Sequence, residues 1–295
     1  MKLKTALRLG RVSNLPTVWT NVLVGAALGG ASWASWGDWG RVVLVLLAMS
    51  AAYVGGMFLN DAYDAEIDDL ERPERPIPSG EVGVATVFRA GYALLALSVG
   101  LVALACGKVV APAVGLSVFL TLCVVLYDRR HKDVRWSPLV MAACRVSVYG
   151  VAALALGGGE TSGHGLPVVG ACAFLHVVGL TYVARQENLR RFEGAWPLVC
   201  LAVPVVVLFS AWLRGQLAFW VMGGYAMWVV TSLLPLRRKE ELGGAAIGKT
   251  VTSLIAAIAL MDACFLMIAD AKLALWIAQA AFMLTLQWQR RVPGT

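Results

Sequence analysis

Charged residues are scarce in this chain. They make up 15% of its 295 residues, and 59% are hydrophobic, whereas a soluble domain carries roughly 25% charged residues. With a mean hydropathy of +0.72, that deficit excludes a soluble protein that hides its apolar surface in one core. Lipid must cover much of that surface. Long polar linkers are missing too, so residues 1–295 read as a single domain. Histidine is limited to His131, His164 and His176, and the six cysteines form no CxxC pair. Zinc sites and a disulfide framework are thereby set aside in favour of reduced thiols beside apolar stretches. The net charge of +7 falls in short loops between apolar runs, which points to membrane orientation and away from nucleic acid.

What is present is a series of apolar runs, each near the roughly 20 residues that a membrane-spanning helix needs. They cover about 15–32, 41–60, 84–106, 109–127, 137–157, 166–185, 196–213 and 216–236. A last region, 246–289, has room for two helices broken near Asp270 and Lys272, or for one span and an interfacial piece. The expectation is an all-α polytopic bundle of nine or ten transmembrane helices around a central cavity. Lys2, Lys4, Arg8 and Arg11 precede the first run, but Ala31-Ser32-Trp33 is a poor cleavage context, so this run reads as an uncleaved helix. Alternate loops are basic: 19 Lys and Arg lie on one side and 4 on the other. The positive-inside rule places the N-terminus and the loops after spans two, four, six and eight in the cytoplasm.

Against that bias, 8 of the 18 acidic residues fall between Asp61 and Glu81. Asp61, Asp64 and Asp68 follow the second span at i, i+3 and i+7, one face of a helix. Three like charges on one face repel each other unless a cation joins them, and Mg²⁺ takes carboxylates together with substrate phosphates. The spacing therefore suits a metal-bridged diphosphate, the competing reading being a solvated acidic cap. The stretch Arg72-Pro73-Glu74-Arg75-Pro76-Ile77-Pro78-Ser79-Gly80 cannot continue the helix. Its arginines can return to phosphate oxygens through charge-assisted bonds.

Asn60-Asp61-x-x-Asp64-x-x-x-Asp68, followed by Arg75-Pro76-Ile77-Pro78-Ser79-Gly80, resembles the first signature of the UbiA superfamily of intramembrane prenyltransferases. The resemblance implies a bundle of about nine helices whose cavity opens to the cytoplasm and laterally to lipid. It also implies Mg²⁺-dependent transfer of a prenyl group from a polyprenyl diphosphate to a small-molecule acceptor. It gives Asn60, Asp61, Asp64 and Asp68 to metal and diphosphate, with Asp64 and Asp68 central to catalysis. Lys132 is similar to a basic residue that contacts the diphosphate, though it also reads as an ordinary loop lysine.

The family's second aspartate-rich motif is altered. In Leu180-Thr181-Tyr182-Val183-Ala184-Arg185-Gln186-Glu187-Asn188 the only carboxylate is Glu187, with Glu193 further on. Arg185 stands where a basic residue is usual, and the expectation is that Glu187, as a catalytic carboxylate, and Arg185, as a diphosphate contact, face the cavity opposite the aspartates. Ala184-Arg185-x-Glu187 and Ala143-Cys144-Arg145 are similar to a divergent branch that includes the UbiA-like EboC proteins. Arg145, charged within a span, marks either a site for an anionic group or a structural pair with Glu187. Asn14 and Asn21 either line the cavity or pair with neighbouring helices. Tyr53, Phe58, Tyr149 and Tyr182 are aromatic candidates for facing a carbocation. Two other functions fit the same fold: cyclisation of the prenyl chain, and isoprenoid binding without chemistry.

Overall fold

The computed structural model describes residues 1–31, 36–107, 110–130, 134–157, 165–186, 194–237 and 244–292. These residues form helices and no strand. The order is α1 (Leu3–Leu9), a 3₁₀ turn (Val12–Asn14), α2 (Leu15–Leu28), α3 (Trp36–Tyr63), α4 (Ala65–Glu71), α5 (Val84–Ala105) and α6 (Val110–Arg130). Then come α7 (Ser137–Leu156), α8 (Gly165–Ala184), α9 (Trp196–Leu213), α10 (Phe219–Leu233), α11 (Gly244–Ile268) and α12 (Lys272–Gln289). Among the described residues eight helices, α3 and α5 to α11, are long and apolar enough to cross a membrane. The other two apolar helices fall short in different ways. With 14 residues, α2 is about 21 Å long, less than the roughly 30 Å hydrocarbon layer. α12 has the length but is less apolar. The 246–289 region is two helices, and the chain reverses at Asp270 with a left-handed φ of 52°.

α2 is short because it is an interior element. Eleven of its residues are buried, among them the polar Thr17, Thr20 and Asn21. Val18, Val22 and Ala26 pack with α3, α6 and α7, while Leu23, Val24 and Leu28 pack with α8, α10 and α11. α2 thus joins the two halves of the bundle. Small residues bring it against α7. A Cβ on Gly25 would lie 2.3 Å from the Tyr149 carbonyl oxygen, and one on Gly29 2.5 Å from that of Ala153. Close backbone approach of this kind is a common basis of helix association in lipid, where the hydrophobic effect between helices is weak.

α5 and α6 turn most of their surface outward, with 28% and 22% of their span windows buried, against 67% for α11. At the end of the bundle where α5 and α7 stop, Arg41 donates to the carbonyls of Ala105 (2.8 Å) and Ala155 (2.6 Å). This satisfies carbonyls that a helix C-terminus leaves open. The opposite end gathers α1, the 61–83 segment, the end of α6, residues 134–137 and the end of α8. Arg8 bonds Glu81, Asn60 bonds Asp128, and Arg185 bonds the carbonyls of Val134 and Arg135. The described flanks of the loops after α3, α6 and α8 therefore share one end with α1.

Candidate functional site

The second span is longer than a membrane requires. α3 has 28 residues, about 42 Å, so its last turn carries Asn60 and Asp61 to the edge of the bundle. The helix then breaks. Asp64 sits at φ −85°, ψ 0°, in the sparsely populated bridge region, and α4 starts anew at Ala65. The bonds from the Asp64 N–H to the Asn60 carbonyl (3.0 Å) and from the Asp68 N–H to the Asp64 carbonyl (2.8 Å) nevertheless carry the helical ladder through Asp64, and Arg75 joins Asp61 to Asp68. All are buried: Asn60 is 8% exposed, Asp61 6%, Asp64 8% and Asp68 4%. That burial rules out the solvated acidic cap.

Arginines hold the cluster. Arg75 bonds Asp68 at 2.5 Å and reaches Asp61 at 3.4 Å. The loop that positions it leaves α4 through the Arg72 N–H, which caps the Asp68 carbonyl at 2.8 Å, and turns at Gly80, whose φ of 76° favours glycine. The Arg72 side chain is half-buried. A second guanidinium comes from Arg11, which the sequence presents only as one of several N-terminal charges. It bonds Asp61 at 3.0 Å and Asn60 at 3.4 Å, from a residue held at a left-handed φ of 41°. Such strain persists only where surrounding structure fixes it. Burial pulls the Arg11 guanidinium down, but Asp61 and, behind it, Tyr53, Tyr127 and Asp128 outweigh this and hold it above its ordinary value. Nearby, the Thr5 hydroxyl and Arg8 keep the Glu81 carboxyl below the usual carboxylate range, tying α1 to the loop after α4.

One further acid faces this cluster from α6. Asn60 Nδ2 donates to Asp128 Oδ1 at 3.4 Å, and Asp128 is 4% exposed. Its other oxygen, Oδ2, is buried with no hydrogen-bond partner among the described residues. In the sequence Asp128 is masked by Arg129 and Arg130, which read as an ordinary basic loop.

Deeper in the bundle is a second polar group that the sequence only partly shows. Asp262 on α11 accepts from Thr20 (2.5 Å), Asn21 (2.6 Å) and Tyr149 (2.7 Å). Arg145 joins it by bonding Asn21 Oδ1 at 2.8 Å and Thr17 at 3.4 Å. Asn14 pairs with Tyr53 and Gln289. Both asparagines of α2 and its flank are thus helix-pairing residues. A lone acid inside a span is the signal that would have exposed Asp262.

Other candidates have structural partners or lie outside the described residues. The bonds of Arg185 go to the carbonyls of Val134 and Arg135 and to Ser137, joining the end of α8 to the start of α7. Tyr182 also bonds the Arg135 carbonyl. Phe58 is buried in a cluster with Leu9, Ala62, Val82 and Val87. Lys132 and Glu187 lie outside the described residues. An apolar cavity of about 600 Å³ opens between α6, α7 and α8, lined by Leu116, Phe119, Val146, Leu166 and Phe174 among others.

Among the described residues no three carboxylate, imidazole or thiolate groups already surround one point. The donor chemistry still fits a hard cation. The cluster offers carboxylate oxygens, which Mg²⁺ prefers, and Asp128 has one with no partner.

Comparison with known proteins places this architecture. The chain shares 42% identity over 98 residues with digeranylgeranylglyceryl phosphate synthase of Ignicoccus hospitalis, 32% of this chain and 30% of that protein. With the Metallosphaera sedula synthase it shares 35% over 103 residues, 33% and 34% of the two chains. The matched segments span about a third of these curated relatives. A solved digeranylgeranylglyceryl phosphate synthase structure superposes with a TM-score of 0.62 at 20% identity, covering 91% of this chain and 99% of the other. The Archaeoglobus fulgidus UbiA homologue bound to DMAPP and Mg²⁺ gives 0.52 at 19%, covering 95% and 99%; at such identities the likeness concerns the fold. The model of the UbiA prenyltransferase family matches residues 18–293, and the chain belongs to that family.

Proposed function

We propose that this protein transfers a prenyl group from a polyprenyl diphosphate to a small-molecule acceptor within the membrane, using Mg²⁺. The observation that carries the reading is the burial of Asn60, Asp61, Asp64 and Asp68 at one end of an apolar bundle, bridged by Arg11 and Arg75. Burying several carboxylates is costly unless each is paired or holds a metal, and a basic frame around them suits a phosphate.

Asp61, Asp64 and Asp68 would hold Mg²⁺, which when bound offsets diphosphate charge and eases its departure. Arg75 and Arg72, on the loop after α4, supply guanidinium donors to the phosphate oxygens in two-pronged fashion, and Lys132 adds a positive charge. The allylic C–O bond breaks with its electron pair leaving on the diphosphate. An electron pair of the acceptor then forms the new bond to that carbon, and the acceptor's proton passes to the departing diphosphate. The apolar cavity between α6, α7 and α8 is lined by residues away from the aspartates and suits the far end of a prenyl chain. Arg145, fixed by Asn21 and Thr17, offers a positive charge to an anionic acceptor. Arg185 and Glu187 are proposed to flank the site from the end of α8.

Labelled prenyl diphosphate tests this. Mg²⁺-dependent release of pyrophosphate with a prenylated adduct is the expected result. Release with a hydrocarbon would show cyclisation, and no release would show a carrier. Asp64→Asn keeps the side-chain shape and removes the charge; if it binds prenyl diphosphate in Mg²⁺ as tightly as wild type, the reading fails.

A further inference from the structure

Asp61 and Asp68 each have a guanidinium partner. Asp128 differs. It is as buried as they are, yet only one of its oxygens is bonded, and weakly, by the neutral amide of Asn60 at 3.4 Å. Oδ2 has no donor among the described residues. A buried carboxyl oxygen without a partner is a cost that folded proteins rarely carry without a reason, and the usual reasons include an ion.

The surroundings narrow the choice of ion. The Asn60 side chain touches both parts of the site, its Oδ1 facing Arg11, which also holds Asp61, and its Nδ2 facing Asp128. Asp128 is therefore one side chain removed from the aspartate motif but arrives on a different helix, α6. In the described part of the stretch that ends α8, up to Gln186, there is no carboxylate. We infer that Asp128 is a further carboxylate ligand of the divalent cation, so that α6 contributes to the metal site beside the aspartate motif. The inference rests on the metal-dependent reading above and adds to it a residue outside the motif.

The test reads metal binding directly, on the full chain in detergent, with Mn²⁺ alone as a paramagnetic stand-in for Mg²⁺. Bound Mn²⁺ is followed by loss of the free-ion spin-resonance signal, and thermal unfolding is recorded with and without metal. Asp128→Asn should need at least about tenfold more Mn²⁺ than wild type, a loss seen even for residues that only support a ligand. Asp64→Asn should be weakened as well. Without metal, Asp128→Asn should be no less stable than wild type, because it removes a buried charge and keeps an acceptor for Asn60. The stabilisation by Mn²⁺ should shrink in parallel. If Asp128→Asn titrates like wild type while Asp64→Asn is weakened, Asp128 is no ligand and only this inference falls. If wild type takes up no Mn²⁺, or neither variant is affected, the metal-site reading itself falls and takes the inference with it. Should Asp128→Asn fail to fold, Asp128→Ser is read the same way. Failure of both to fold would make Asp128 a structural residue and also overturn the inference.

Discussion

If Arg75 stands in part where a cation would stand, removing it should make the protein weaker without metal and more responsive to metal. Arg75 bonds Asp68 at 2.5 Å and Asp61 at 3.4 Å, with the arginine side chain 17% exposed and those of the acids 6% and 8%. Hydrogen bonds to charged groups contribute about 1.5–3 kcal/mol each. The long contact to Asp61 adds little, so Arg75→Ala should cost about 2–3 kcal/mol. At about 2–4 °C per kcal/mol for a chain of this size, Tm in Mg²⁺-free buffer should fall by roughly 4–12 °C. The same change frees Asp68 for metal and removes one of the two arginines on Asp61, which keeps Arg11. A tenfold gain in metal affinity adds about 1.4 kcal/mol of stabilisation at saturating metal. The rise in Tm between chelator and saturating Mg²⁺ should then be larger in Arg75→Ala than in wild type by about 3–6 °C. Detergent-solubilised protein followed by intrinsic tryptophan fluorescence suffices. Equal metal responses in the two proteins would show that Arg75 and the cation do not share carboxylates, and the argument from the arginine frame would be refuted.

Two further outcomes follow from the bundle. Gly29→Leu should weaken the α2–α7 contact, since even a Cβ there meets the Ala153 carbonyl oxygen at 2.5 Å; a loss of about 1–3 kcal/mol, read as a lowered Tm, is expected, and wild-type stability would show that the helices can separate without cost. In a cysteine-free background, Ser79→Cys should resist an impermeant thiol reagent added outside intact cells while Gln216→Cys reacts, because the basic end is placed in the cytoplasm; the reverse pattern would invert the orientation.

The parts of the site legible in the sequence were those where charge opposed its surroundings. Asp61, Asp64 and Asp68 stood out because acids crowd a loop that the charge bias would make basic, and Arg75 followed from its place after them. Arg11 and Asp128 were hidden by the same bias. One looked like an N-terminal charge and the other like part of a basic turn, and neither contact is local, being 50 and 68 residues apart in sequence. The helices were visible as apolar runs, and the end of α12 came where the last run stops. The interior position of α2 was not visible, because a run of apolar residues looks the same whether lipid or protein surrounds it. Its length was misjudged for a related reason: the run continues past Leu28, but the helix ends where Gly29 meets α7. The interruption at Asp64 was also missed, since helical spacing alone assumes an unbroken helix.

The bonds between Asp262 and α2 have a consequence for the order of events during synthesis. Thr20 and Asn21 are made early, yet their carboxylate partner lies 242 and 241 residues later, and the Tyr149 hydroxyl 128 residues later. At about 5–20 residues per second of translation, roughly 12–50 s pass between the emergence of Asn21 and that of Asp262. For that interval the first apolar helix lacks the partner for its polar face and is too short to span the bilayer in comfort. α7 can receive α2 and bond Asn21 before then, but the bonds of α2 to Asp262 are among the last in the bundle to form.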